Sequence, residues 1–334
     1  MLKASSYGAE IDQLGPFLGQ QAFDYIGVAY VDEGVALRQA GVKTPILVMN
    51  CDENSWQSCI EYDLEPALYS MKQMDGLVVE LIRQEVLHFP VHIKWDTGMH
   101  RLGFTRDELK KLSQYLNAQE ELSVKSIYSH LAEASNPDKS FTNRQITELK
   151  GVADHLKTKL SENFMVHILN SEGIAHHPDG MFDMVRLGIG MYGISDEKEA
   201  SNFLEPVFGW KSKVSHIKTI EAGESIGYNR TFVADKGTKY AVIPVGYADG
   251  FKRNLGQGKG GVYIRDVWCP TLGNVCMDMI MVNIHDLPIS EGEEVEIIGS
   301  NQSIEKLAKQ CDTIPYEIMT SLSKRMPRIF IEEN

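Results

Sequence analysis

Cysteine is scarce in this 334-residue chain, and what there is forms no pattern. The five cysteines stand at 51, 59, 269, 276 and 311, with no Cys-x-x-Cys or Cys-x-x-His pair. An odd, scattered set excludes a disulfide framework and a zinc ribbon, gives no metal site, and fits a reducing cytoplasm. No run of about 18 apolar residues occurs, so no transmembrane helix is expected. The opening MLKASSYGAE has one Lys, no apolar stretch and an early acid, which is not a signal peptide. Positive charge is also short: 33 Lys and Arg against 46 Asp and Glu leave a net charge of −13. A nucleic-acid or anionic-membrane partner needs a basic face, so neither is expected.

What is present is ordinary globular composition, 43% hydrophobic and 24% charged, in a length that favours two domains. Eight apolar runs lie in the first half, at 2–5, 24–30, 45–50, 65–70, 91–98, 124–131, 165–170 and 184–193. They are nearly continuous rather than alternating, as strands buried on both faces are. Residues 33–40, 72–87, 106–119 and 142–160 carry apolar residues three and four apart, which predicts helices. Strand and helix repeated eight times predict an α/β fold, a (β/α)8 TIM-type barrel. An open doubly wound sheet is the alternative, but the Gly-x-Gly-x-x-Gly turn after the first strand is missing. Beyond about 205, runs at 211–220, 239–248, 260–273, 279–284 and 293–299 are separated by Gly, Asp, Asn and Pro. With one helix at 303–311 they predict a mostly antiparallel β domain. The expected division is 1–205 and 206–334, around a solvated linker, SDEKEA.

Barrel chemistry gathers at the C-terminal ends of the strands. There the sequence places Lys3 and Tyr7, Lys94 and Asp96 with Arg101 after them, Ser129–His130, Asn170–Ser171, and Arg186 with Gly188. Such a rim suits an anion with an amine beside it: a phosphorylated ligand and a lysine nucleophile, as in a Schiff base to pyridoxal phosphate. Strand-end lysines serve other chemistries as well, so these residues alone leave the reaction open. His176–His177 reads as a pair of loop histidines, and Cys276 as a small buried apolar residue.

MLKASSYG resembles the lysine motif Val-Lys-Ala-x-x-Tyr-Gly of bacterial alanine racemases, and IKWDTGMHRLGF (93–104) resembles their Asp-Thr-Gly-Met-x-Arg-Leu-Gly block. SHLAEA (129–134), LNSEG (169–173), VRLGIGMYG (185–193), GESIGYNRTF (223–232), PVGYADGF (244–251), GNVCMDMIMV (273–282), IPYEI (314–318) and MPRIF (326–330) follow in the family's order. Ten blocks in order, across both halves, carry the resemblance over essentially the whole chain. Residues 24–50 also resemble racemase halves that some bacteria fuse to a Mur-type ligase.

The resemblance implies a fold-type III, pyridoxal-phosphate-dependent racemase of alanine, feeding D-alanine to peptidoglycan. It implies a homodimer with shared active sites. Lys3 is implied as cofactor lysine and one base. Tyr228 of the partner subunit is the other, supported by His130 and Arg186. Arg186 is implied at the pyridine nitrogen, where a group that keeps its protons leaves the ring a weak electron sink. Tyr7, Ser171, Tyr316 and the backbone of Gly188 and Ile189 would hold the phosphate, with Asn170 among the cofactor contacts. Arg101, Met277 and Asp278 would meet the substrate, Tyr247 would stand at the entrance, and Lys94 is a candidate for carbamylation. The alternatives are a racemase of another small amino acid such as serine, or a non-catalytic fragment that binds the cofactor. The chain departs from the pattern at His100 and Glu172–Gly173, and the relatives are expected to carry roughly thirty further residues ahead of Lys3.

Overall fold

The structure is a computed structural model, and it describes residues 1–160, 163–196 and 203–331. Part of the SDEKEA stretch lies outside the described residues. The chain forms two compact units, Met1–Glu205 and Pro206–Asn334.

The first unit is built on six parallel strands in sequential order: β1 (Ile26–Val28), β2 (Ile46–Val48), β3 (Leu64–Leu68), β4 (Phe89–Lys94), β5 (Leu122–Tyr128) and β6 (Met165–His167). Helices connect them, among them Val31–Gln39, Met71–Arg83, Leu109–Ala118 and Ser140–Lys157, close to the four predicted. Each strand shows its helices an apolar face: Val28, Val48, Leu64, Val91, Ile93, Ile127 and Val166 are buried in the main core with Leu77, Leu112 and Leu149 of the helices. The opposite face carries Leu47, Ala67 and Tyr128, packed with Tyr25 and Met49, and several polar residues beside them.

Two of the eight expected strands are not strands. Segment 2–5 enters a left-handed turn, with φ between 52° and 56° at Ala4, Ser5, Ser6 and Tyr7, and 184–193 is irregular apart from a 3-10 turn, Ile189–Tyr192. They still stand in the ring. Asp183 N–H donates to the Val166 carbonyl (3.0 Å) and Arg186 N–H to that of Leu169 (3.0 Å), which sets 183–186 beside β6. Met1 donates to the Leu187 carbonyl (2.8 Å) and Leu2 N–H to that of Gly27 (2.7 Å) in β1. Where the seam closes, single hydrogen bonds replace ladders, because these two segments bend to carry functional groups.

The left-handed turn is costly, roughly 1 kcal/mol for each non-glycine residue, and is held from several sides. Glu33 accepts from Ser5 N–H (3.2 Å), Ala29 N–H (2.8 Å) and Tyr30 N–H (3.3 Å). The Tyr192 hydroxyl donates to the Ser6 carbonyl (2.6 Å), and Gly8, at φ 85°, closes the turn onto the Ala4 carbonyl.

The second unit is antiparallel. One sheet runs β14 (Ile280–Asn283), β11 (Thr238–Ile243), β8 (His216–Ile220). Another runs β13 (Val267–Pro270), β12 (Gly261–Ile264), β15 (Glu294–Ile298), β7 (Trp210–Lys213). The run expected at 211–220 is thus two strands that change sheet at Val214–Ser215, and 260–273 is a hairpin turned by Arg265 and Asp266, both at positive φ. A two-stranded ribbon, β9 (Ser225–Ile226) and β10 (Phe232–Val233), carries Tyr228 in its turn.

Candidate active site

Arg186 is buried, and its guanidinium donates four hydrogen bonds. Nη2 reaches the carbonyls of Ser129 (2.7 Å) and Ile168 (3.0 Å) and His130 Nδ1 (3.2 Å), and Nη1 reaches His167 Nδ1 (2.6 Å). It also lies 5.3 Å over the Tyr128 ring. Burial lowers its pKa to about 10, so it remains a cation at neutral pH. His130 is pushed down to about 3 by burial and then by the cations of Arg186 and Arg101, so it is a neutral ring.

Lys94 ends β4, buried, with Nζ 5.8 Å from the Tyr128 ring centre. Burial, then Arg101 and Arg186, lowers its pKa to about 8. Asp96 turns its carboxylate to the N–H groups of Gly98 (2.9 Å) and His100 (3.0 Å) and to the His100 ring (3.0 Å), which shapes the loop that carries Arg101. The loop returns to β4 at Phe104, and Gly103 passes so near Asp96 that a Cβ would stand 2.5 Å from its nitrogen. Lys3, the residue before the left-handed turn, has its pKa lowered by burial and then by Arg101 and Arg186, with Glu33 opposing. One patch of cations thus makes two lysines easier to deprotonate.

The same unit carries a cradle. Ser171 Oγ accepts from the N–H groups of Gly188 (3.0 Å) and Gly190 (3.2 Å). A Cβ on Gly188 would stand 2.6 Å from the Tyr7 hydroxyl, so only glycine lets that phenol meet the backbone. Tyr7 is buried against Tyr192, ring centres 5.5 Å apart. Asn170 caps the helix Ser171–His176 through Gly173 N–H (2.9 Å), which fixes Ser171 at its first position. The Tyr7 and Ser171 hydroxyls beside this closely approached backbone suit a phosphate, and an amine of lowered basicity suits an aldehyde.

In the second unit, Tyr228 (72% exposed), Tyr247 (42%) and Met277 (54%) are open to solvent. Asn274 Nδ2 holds the Tyr228 carbonyl (3.1 Å), Tyr247 N–H donates to the Cys276 carbonyl (3.1 Å) and Ala248 N–H to that of Met277 (3.0 Å). Gly246 makes this approach possible, since a Cβ there would lie 2.2 Å from the Met277 oxygen. Asp278 pairs with Arg325 (2.8 Å), which also holds Asp249 (2.6 Å). Tyr316 lies half-buried in the helix Pro315–Thr320, tied to the neighbouring segment by Lys252–Glu317 (3.0 Å). Cys276 is half-buried with its thiol raised by burial, and His177 spends Nε2 on the Ala134 carbonyl (3.0 Å).

Sequence reasoning passed over His167, the partner of Arg186, and Gln145. Gln145 donates to Thr97 Oγ1 (3.1 Å) and the His130 carbonyl (3.1 Å) and accepts from Ala132 N–H (3.0 Å), fixing the loop that carries His130. A histidine inside the apolar run MVHILN was the available signal.

An amine of lowered basicity near two guanidiniums, with a hydroxyl-lined cradle on the same barrel rim, is chemistry that suits a phosphorylated aldehyde cofactor. The comparisons make this specific. Family models described as the alanine racemase N-terminal and C-terminal domains match residues 1–196 and 207–330. An alanine racemase of Clostridium tetani is 32% identical, over 100% of this chain and 88% of its own length. That of Thermodesulfovibrio yellowstonii is 34% identical, over 100% and 89%. Among solved structures, the alanine racemase of Clostridium difficile superposes with a TM-score of 0.90 at 30% identity, covering 97% of this chain and 86% of that one. The Bartonella henselae alanine racemase, solved with covalently bound pyridoxal phosphate, gives 0.87 at 31%, covering 99% and 91%. The chain belongs to the alanine racemase family, pyridoxal-phosphate-dependent isomerases that interconvert the two hands of an amino acid.

Proposed function

We propose that this chain interconverts L- and D-alanine in the cytoplasm, supplying D-alanine for peptidoglycan, as a homodimer whose subunits complete each other's sites. The observation that carries the reading is the lowered basicity of Lys3 beside Arg101 and Arg186, at a rim whose Tyr7–Ser171–Gly188 cradle fits a phosphate. Pyridoxal phosphate supplies an aldehyde that captures the amino group and a conjugated ring that acidifies the bond from Cα to hydrogen. Lys3 would hold the aldehyde, and its amine would move a proton on one side of Cα. Tyr228 of a second subunit moves the proton on the other side, and its exposure leaves the phenol free to enter a neighbour's site. Neutral His130, held by Arg186, is a suitable partner for that phenol. Arg186 offers donors only, so a cofactor ring nitrogen placed against it would accept a hydrogen bond and take no proton. Arg101, Met277 and Asp278 form the substrate end, Tyr316 adds to the phosphate contacts, and Tyr247 narrows the entrance.

Lys94, with a pKa of about 8, has enough neutral amine to add carbon dioxide, forming an N–C bond and releasing a proton. The resulting anion would hold Arg101. Labelled bicarbonate gives a carbamate carbon signal in the wild type and none in Lys94→Met.

The deciding experiment supplies the purified chain with pyridoxal phosphate and L-alanine and follows D-alanine by chiral chromatography. D-alanine above the cofactor-only background is expected. Lys3→Ala and Tyr228→Phe should each lose about 10²- to 10⁴-fold in rate. Full activity of Tyr228→Phe removes the two-base assignment, and an unchanged visible spectrum for Lys3→Ala on cofactor addition removes the lysine's.

A further inference from the structure

The inward faces of the barrel strands carry a line of polar groups that the reaction does not use. His167 Nε2 lies 2.9 Å from Ser126 Oγ, Ser126 Oγ lies 2.6 Å from His92 Nδ1, and His92 Nε2 lies 2.9 Å from Glu65 Oε2. His92, Ser126 and His167 are fully buried, and the Glu65 side chain is 12% exposed. At the far end, burial and the neighbouring Glu65 carboxylate raise the pKa of Tyr25.

The proton positions follow from the two ends. Arg186 can only donate, so His167 Nδ1 accepts and carries no proton. Burial and Arg186 hold His167 neutral, so its one proton is on Nε2 and goes to Ser126. Among the described residues Ser126 Oγ meets His167 and His92, and with His167 donating to it, its hydroxyl proton goes to His92 Nδ1. His92 then carries its proton on Nε2 and donates to Glu65, which as a carboxylate can only accept. Every donor in the line points the same way, from the guanidinium to the carboxylate.

We propose that Glu65, His92 and Ser126 are positioning residues that lock His167 as the acceptor for Arg186 and so fix the aim of that guanidinium from inside the barrel. The inference rests on the reading of Arg186 as the group facing the cofactor ring. If the line is broken, His167 gains access to its other tautomer, which sets N–H against N–H at Arg186 and turns the guanidinium away.

The test reads the rings directly, in protein carrying nitrogen-labelled histidine and without cofactor. Two-bond proton–nitrogen correlations should show Nε2-protonated, neutral rings for both His92 and His167. An Nδ1-protonated or charged ring at either position overturns the proposal, with no variant needed. Glu65→Gln keeps the shape and lets the amide donate, so it should move the His167 nitrogen signals although Glu65 does not touch that ring. In Ser126→Ala the same Glu65→Gln change should leave His167 unmoved, because the link is gone. An unshifted His167 in Glu65→Gln, or an equal shift in both backgrounds, sinks the relay. In the holoenzyme, Ser126→Ala should lower racemisation about tenfold. It should also raise pyruvate release per D-alanine formed, as alanine's amino group is left on the cofactor in exchange for its aldehyde oxygen. If wild-type chain forms no D-alanine, the proposed function fails while the ring spectra still decide the relay.

Discussion

Lys94 shows how one buried charge sets a pH dependence. Folded, its pKa is about 8; unfolded, it returns to the ordinary 10.5. Between those values the unfolded chain holds a proton that the folded chain lacks, so stability rises with pH across the window. Below pH 8 both states hold the proton and the full cost of the buried cation is present, roughly 3 kcal/mol for a shift of this size. In buffers free of carbon dioxide, where Lys94 is the unmodified amine, Lys94→Met should therefore exceed the wild type in urea resistance most clearly at pH 7, with the gap closing toward pH 10. A gap that does not change with pH refutes the assignment. At this scale much of the site was legible. Lys3, Tyr7, His130, Ser171, Arg186 and Gly188 sit in short blocks whose order along the chain can be read directly. His167 and Gln145 were not, because each acts through a partner distant in sequence, and a buried histidine or glutamine has no motif of its own.

Among the elements, the left-handed turn after Lys3 departs furthest from local preference. Four L-residues in that region persist only because the surroundings outweigh their strain. Glu33 supplies three of the acceptor contacts around it. Glu33→Ala should cost about 1–3 kcal/mol in urea unfolding, and should weaken retention of pyridoxal phosphate in equilibrium dialysis, since Lys3 and Tyr7 flank the turn. Loss of stability with unchanged retention would show that the turn does not position the lysine. The same element explains why an eight-strand count exceeds the six strands formed. LKAS and MVRLGIGMYG are as apolar as their neighbours, but hydrophobicity reports burial and not the sign of φ. Helices such as Met71–Arg83 were legible because a one-sided apolar stripe is a local property. The sheet change at Val214–Ser215 was not, because KSKVSHIKTI has no break in composition there.

For the whole molecule, the proposed placing of one base on each of two chains would make activity a property of association. Tyr228, Tyr247, Met277 and Met279 are large, apolar or aromatic, and open to solvent. Specific activity should fall on dilution in step with the dimer fraction from sedimentation velocity. Mixing inactive Lys3→Ala with inactive Tyr228→Phe should restore activity, because one of the two mixed sites then has both bases. Failure of the mixture at concentrations where mixed dimers form would mean that both bases come from one chain.

Lys125 is the extra residue in β5. Val91 faces Val124 and His92 faces Ser126, so two residues of β5 answer one step of β4. Its own side chain is exposed and takes no part in the barrel interior. It takes up the odd spacing in the strand: Val124 and Ile127, three apart, both face the helices, while Ser126 and Tyr128 face the axis. Lys125→Ala should shift stability by no more than about 0.5 kcal/mol. Deleting Lys125 brings Val124 and Ile127 two apart and leaves every residue of the strand on its own face with its own partner, so the chain should still fold cooperatively, the change being confined to the local bend of β5. The position is indifferent to which amino acid fills it, and the facing of its neighbours does not depend on it; what it contributes is the bend of the strand.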